Sequence, residues 1–278
     1  MSKIRVLVTG ANGFIGKNLV VRLRESPDYE ILTFVRGQDI ALLPDLVVQA
    51  DAIVHLAGEN RPAKTQTLAD VNTGLTIALC DALRSTLVQL DRKVPLLLAS
   101  STKAECDNPY GHSKRAAELA VEALARDTQN SVMIFRLPGV FGKWCKPNYN
   151  SVVATFCHNI ARDLPIQIND PSADLHLVYI DNVVDEFLRV LNHPQQGLNW
   201  GKVLPVYSIT VGDLAEQIRV FQNCRTSLMS ERVGTGLIRA LYSTYISYLP
   251  PERFAYELPQ YGDERGVIIE RLKTPECG

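Results

Sequence analysis

Residues 3–23 read KIRVLVTGANGFIGKNLVVRL, and no other stretch restricts the fold as strongly. Ile4, Val6, Leu7 and Val8 form a short apolar run rich in β-branched residues, which predicts a buried strand. Thr9 ends the run, Gly10, Gly13 and Gly16 follow three residues apart, and Leu19, Val20 and Leu23 continue with helical spacing. A strand, a glycine turn and a helix in that order let the backbone approach a pyrophosphate whose charge rests on the helix N-terminus. A chance glycine turn gives no reason for the flanking strand and helix. The stretch is therefore read as a dinucleotide cradle, with Asn12, Phe14 and Ile15 beside its three glycines.

At 278 residues and 46% hydrophobic, the chain can bury a core as one large domain or two lobes. A net charge of −1 gives no electrostatic case for nucleic acid or an anionic membrane. MSKIRVLVTG reads as a strand rather than an apolar signal region, and no run of 18 apolar residues occurs. The expectation is a soluble, cytoplasmic protein. Six cysteines without a CxxC pair are expected to be reduced thiols, with no metal site. Adjacent Cys157 and His158 have the wrong spacing for two ligands on one helix face.

A second strand, Tyr29 to Val35, ends at Arg36. The acid that would accept from an adenosine ribose 2′-hydroxyl is missing there, and an arginine can pair with a 2′-phosphate. That favours NADP(H) over NAD, against the plain alternative of a solvated arginine. A short helix is expected over 40–49, then a strand, AIVHLAG, from 52. Small residues at its end, Leu56, Ala57 and Gly58, leave room for a cofactor at the crevice where open α/β sheets bind ligands. Little chain separates these two strands, so the crossover must be abbreviated. Leu75, Leu79, Leu83 and Leu87 mark an amphipathic helix within 67–90, with Asn72 near its start facing either the site or backbone.

Val94 to Ala99 is the next strand, ending in Ser100-Ser101-Thr102. Tyr110 and Lys114 follow at i, i+4 and share one face of a long helix. An ammonium beside a phenol favours the phenolate and is expected to lower its pKa from about 10, which suits proton transfer. Tyr-x-x-x-Lys alone is a common accident. After a serine-ended strand and a dinucleotide turn it is a strong signal.

These residues, with HLAG (55–58), SST (100–102), RLPGVFG (136–142) and LVYIDNVVDEF (177–187), resemble the extended short-chain dehydrogenase/reductase family over most of the chain. The resemblance implies an α/β fold: a Rossmann-type doubly wound parallel sheet with a smaller mixed substrate-binding lobe. It implies Tyr110 as acid/base, Lys114 as ribose anchor, Ser101 as carbonyl partner with Thr102 as fallback, and Pro138 beside the cofactor. Four further stretches, HLAGENRP (55–62), DNPYGHSK (107–114), 141–163 and LYSTYISYLP (241–250), resemble the reductases of capsular polysaccharide biosynthesis. Those enzymes join a reductase to a zinc-binding cupin on the route to UDP-N-acetyl-L-fucosamine. By that resemblance the substrate is a UDP-linked 4-keto-6-deoxy-hexosamine and the protein a homodimer. Gly139 stands where the family usually places an asparagine. The last residues, 261–278, look like the opening strands of the cupin, and the expectation is a truncated chain or a natural reductase without its epimerase.

The loop 143–150 (KWCKPNYN) is basic, polar and aromatic. By spacing alone, a solvated loop and a nucleotide-sugar contact are equal readings. The resemblance favours substrate contact through Lys146, Asn148 and Arg162, with His176 as a further contact. Tyr242, Tyr245 and Tyr248 recur every three residues in an apolar helix and read as packing. The expected domains are a Rossmann lobe (1–142 and 176–196), a substrate lobe (143–175 and 197–258) and a linker with cupin start (259–278). Two rival functions remain. A 4,6-dehydratase would need an acid after Thr102, where Lys103 and Ala104 stand, though an epimerase shares the scaffold. A non-catalytic NADP(H) sensor would usually lose Tyr110 or Lys114.

Overall fold

The computed structural model describes residues 3–59, 69–269, 271 and 273. In chain order its elements begin β1 (Ile4–Thr9), α1 (Phe14–Arg24), β2 (Tyr29–Phe34), α2 (Leu43–Gln49), β3 (Ala52–His55) and α3 (Leu75–Leu90). They continue β4 (Leu96–Ser101), α4 (Pro109–Thr128), β5 (Val132–Leu137), β6 (Gly139–Phe141), α5 (Val152–Ile160) and β7 (Asp174–Tyr179). The last are α6 (Ile180–Asn192), β8 (Leu198–Gly201), β9 (Tyr207–Thr210), α7 (Val211–Ser227), α8 (Gly236–Ser247), β10 (Gln260–Asp263) and β11 (Gly266–Ile269).

The chain divides into two units, 1–138 with 180–205, and 139–179 with 206–278. Relative to expectation, strand pairing moves 139–142 and 176–179 into the second unit, where β6 pairs with β7. It moves 197–205 into the first, where β8 pairs with β5.

The first unit is a six-stranded parallel sheet in the order β2-β1-β3-β4-β5-β8. Its strands are short and flanked by helices, so both faces can be apolar. Leu7, Ile53, Leu96, Val121 and Ile134 are all essentially buried in one cluster with Leu79 and Leu83 of α3. That is the face predicted by the leucine spacing. β2 and β3 lie on opposite sides of β1, so the winding reverses there, and such a switch point opens a crevice at the strands' C-terminal ends. The abbreviated crossover is real: between β2 and β3 only one turn (Ile40–Leu42) and the seven-residue α2 intervene. The start of the helix expected over 67–90 is a wide turn, Ala69–Gly74, running into α3; residues 60–68 lie outside the described residues.

The second unit holds a mixed sheet, β6-β7-β9, parallel then antiparallel. Phe141, Phe156, Ile218, Phe221, Leu241 and Tyr245 form its core. The tyrosine stripe serves that core: Phe221 meets Tyr242 edge-on at 5.3 Å and Tyr245 at 6.1 Å. The Tyr248 hydroxyl donates to the Cys145 carbonyl. Where cupin strands were expected, β10 and β11 make an exposed antiparallel hairpin. Residues 270, 272 and 274–278 lie outside the described residues.

Candidate active site

The chain leaves β1 through Gly10, which has φ +71°. A Cβ there would stand 2.7 Å from the Ala57 amide nitrogen, so conformation and space both demand glycine. Gly16 packs its α-carbon against the Gly10 carbonyl and the Ala11 backbone, bringing α1 close under the turn. Gly13 is the N-cap of α1 and provides no side-chain cap, and the first turn carries no acid. By contrast Asn108, Ser151 and Thr210 cap α4, α5 and α7 with their side chains. α2, α3 and α8 also lack a side-chain cap, but only α1 follows the tight glycine turn, and the amides of its first turn are those that would hold a pyrophosphate. Asn12 and Gly13 are exposed on this turn, while Phe14 and Ile15 are half-buried.

A buried polar chain fixes the neighbouring strand end. The Thr9 hydroxyl accepts from the amides of Leu56 and Ala57, both at 3.2 Å, so its one proton goes to His55 Nδ1 at 2.6 Å. The Thr76 hydroxyl donates to the Asn72 carbonyl at 2.8 Å and so accepts from His55 Nε2 at 2.9 Å. His55 is thus a neutral imidazole with its proton on Nε2. Burial, followed by the charge of Lys114, pushes it down to about 3. The sequence reading saw only small residues here.

Asn72 settles its two alternatives by facing backbone. It accepts from the Glu59 amide at 2.7 Å and donates to the Glu59 carbonyl at 3.0 Å and to Ser113 Oγ at 3.1 Å. A Cβ on Gly58 would lie 3.2 Å from both Asn72 Oδ1 and Lys114 Nζ. The end of β3 and the lysine of α4 are therefore in one place.

Ser101 ends β4 and accepts from the Lys103 amide at 3.2 Å, opening a short turn that begins at exposed Thr102. α4 starts at Asn108, whose side chain accepts from Gly111 N at 2.9 Å, with Pro109 in the first turn. This start presents Tyr110 and Lys114 to the sheet. Lys114 Nζ donates to the Ala99 carbonyl at 3.3 Å. Burial lowers its pKa to about 8, against the attraction of Glu118. Burial raises the Tyr110 phenol, and a hydrogen bond with Ser101 works against the rise. This corrects the expectation that Lys114 lowers the phenol: desolvation sets the direction and outweighs the Ser101 hydrogen bond.

Below this pair lies a network that sequence reasoning missed. Glu118, fully buried one helical turn beyond Lys114, accepts from Ser100 Oγ at 2.6 Å and Arg115 at 2.9 Å. Arg136 grips both of its oxygens, at 2.9 and 2.8 Å. Burial raises Glu118, but Arg136, Ser100 and Arg115 outweigh it and hold the carboxyl below the usual range. Pro138 follows β5 and is half-buried, and Arg36 is ion-paired with Glu59.

The four outlying candidates lie in the second unit. Lys146 is exposed over the Tyr149 ring at 5.1 Å. Asn148, at φ +53°, donates its amide to Thr155 Oγ1 at 3.0 Å. Arg162 Nη1 serves the carbonyls of Tyr248 at 2.8 Å and His158 at 3.2 Å, which ties α5 to the end of α8. His176 is exposed on β7, with Nδ1 3.1 Å from Ser208 Oγ. A side chain at Gly139 would press on Leu177 and the His176 carbonyl at 3.0 and 3.1 Å. Among the described residues no His, Cys, Asp and Glu cluster could hold a metal, and no helix is long and apolar enough to cross a membrane.

A nucleotide-ready turn beside a serine, a tyrosine and a lysine at the end of one strand is how a short-chain dehydrogenase/reductase is built. The chain belongs to the NAD dependent epimerase/dehydratase family, an oxidoreductase family of that kind whose model matches residues 6–205. It is 52% identical over 275 residues to the UDP-2-acetamido-2,6-beta-L-arabino-hexul-4-ose reductase of Pseudomonas aeruginosa, covering 99% of this chain and 73% of that one. It is 25% identical over 249 residues to a Vibrio cholerae UDP-glucose 4-epimerase. Among solved structures, it is similar to the capsular polysaccharide assembling protein CapF of Staphylococcus aureus, with TM-score 0.84 and 36% identity. That match covers 98% of this chain and 72% of CapF.

Proposed function

We propose that this enzyme reduces carbon 4 of a UDP-linked 4-keto-6-deoxy-N-acetyl-L-hexosamine with NADPH, on the route to UDP-N-acetyl-L-fucosamine for capsule or O-antigen. The observation that carries the reading is the gathering of Ser101, Tyr110 and Lys114 at the end of β4. The reductase name of the Pseudomonas relative supports the substrate.

Bound at the α1 turn, NADPH supplies the hydride. Tyr110 gives its phenolic proton to the keto oxygen, and Ser101 donates a hydrogen bond to that oxygen. Burial suits Tyr110 to this direction, because a phenol with a raised pKa rests protonated and ready to donate. Lys114, protonated below about pH 8, stabilises the phenolate left behind and holds the ribose. We assign Arg36 to the 2′-phosphate, since β2 ends without an acid. Lys146, Asn148, Arg162 and His176 are assigned to the nucleotide sugar, with Thr102 beside the keto group. Gly10, Asn12, Gly13, Phe14, Ile15, Gly16, Leu56, Ala57, Gly58 and Pro138 are assigned to the dinucleotide. A cytoplasmic homodimer completes the reading. Consumption of NADPH by purified enzyme with the 4-keto sugar tests it.

A further inference from the structure

Arg36 and Glu59 meet where β2 and β3 end on either side of β1. Arg36 lies two residues past β2, and its Nη2 is ion-paired with Glu59 Oε1. The two partners are held very differently. The arginine side chain is 82% exposed, and the glutamate side chain only 12%. Asn72, itself 2% exposed, clamps both the amide and the carbonyl of Glu59. Through Ser113 the same asparagine is tied to α4, next to Lys114. The carboxylate is therefore presented from a fixed backbone, and a long, exposed guanidinium comes to it.

We propose that Glu59 determines how strongly this site discriminates NADPH from NADH. It neutralises Arg36 in the free enzyme, must release it to a 2′-phosphate, and then remains near that phosphate as a like charge. A ribose with a free 2′-hydroxyl needs no such release, because it brings no charge for Arg36 to pair with. Glu59 thus tempers the preference created by Arg36. This inference rests on the assignment of the 2′-phosphate to Arg36.

Nicotinamide fluorescence titrations of NADPH and NADH against wild type, E59Q and R36A separate the two claims. Removing one charge beside a phosphate is expected to tighten NADPH about tenfold while NADH stays within about twofold. R36A weakens NADPH and leaves NADH alone. E59A is the second variant: Asn72 holds residue 59 by its backbone, so truncating the side chain leaves those bonds in place. Circular dichroism of each variant checks the fold. Glu59 variants whose NADPH-to-NADH ratio is unchanged or lower, beside a weakened R36A, overturn this inference alone. An R36A enzyme that keeps its NADPH affinity overturns the phosphate assignment as well.

Discussion

The hydroxyl of Thr9, at the end of β1, lies 2.6 Å from Nδ1 of His55, at the end of β3. This bond requires a neutral imidazole, which ties the stability of the cofactor crevice to pH. His55 is held at about 3 in the folded chain, against an ordinary value of 6.5. Between those values the unfolded state binds the extra proton, so the contribution is complete above pH 6.5 and is lost as pH falls towards 3. At 1.36 kcal/mol per pH unit the whole span comes to about 5 kcal/mol. Urea midpoints measured from pH 7 to 4 should fall for wild type, and H55N should flatten this dependence while lowering stability at pH 7.

Glu118 is a second prediction. Its removal takes from Arg136 the carboxylate that both its nitrogens grip, leaves Arg136 to Glu105 and Arg115 to Glu122, and strips the Ser100 hydroxyl of its acceptor. E118A is expected to cost about 3 kcal/mol by urea denaturation, since breaking a buried pair exceeds the loss of a surface one. E118Q, which keeps the shape and one acceptor, should cost less. Equal stabilities for wild type and E118A would show that the network carries no net weight.

The dinucleotide turn and the Tyr110–Lys114 pair were legible because each is local: three glycines in seven residues, and two side chains one helical turn apart. The parallel sheet was implied by the family resemblance, with which the alternation of strands and helices agrees. The rest of the site is made of distant pairs. Thr9 and His55 stand 46 residues apart, Asn72 and Ser113 41, and no pattern in the sequence joins them. Burial is equally non-local, so the direction of the Tyr110 shift could not be read from Lys114 alone. An acid one turn beyond Lys114 was the only available hint of Glu118, and acids on helices are usually solvated.

The activity should have an alkaline limb set by Lys114. Its pKa is lowered to about 8, so kcat/KM for the free enzyme should fall above pH 8 as the ammonium is lost. Stability runs the other way. Between about 8 and the ordinary 10.5 the unfolded chain holds the extra proton, so the lysine's contribution to stability rises with pH. A rate that falls while the fold persists, measured by initial rates beside circular dichroism from pH 7 to 10, fits this account. A rate flat to pH 10 contradicts it.

The central claim is that Tyr110 gives the proton during reduction of a UDP-linked 4-keto sugar, and one comparison tests it most directly. Wild type and Y110F are each given NADPH and UDP-4-keto-6-deoxy-N-acetyl-L-hexosamine, with absorbance followed at the nicotinamide band and NADPH binding measured separately. The account predicts steady oxidation of NADPH by wild type, and a loss of at least about a hundredfold in Y110F with NADPH affinity retained. Cofactor-bound wild type that leaves the keto sugar untouched, or a Y110F enzyme as fast as wild type, would contradict it.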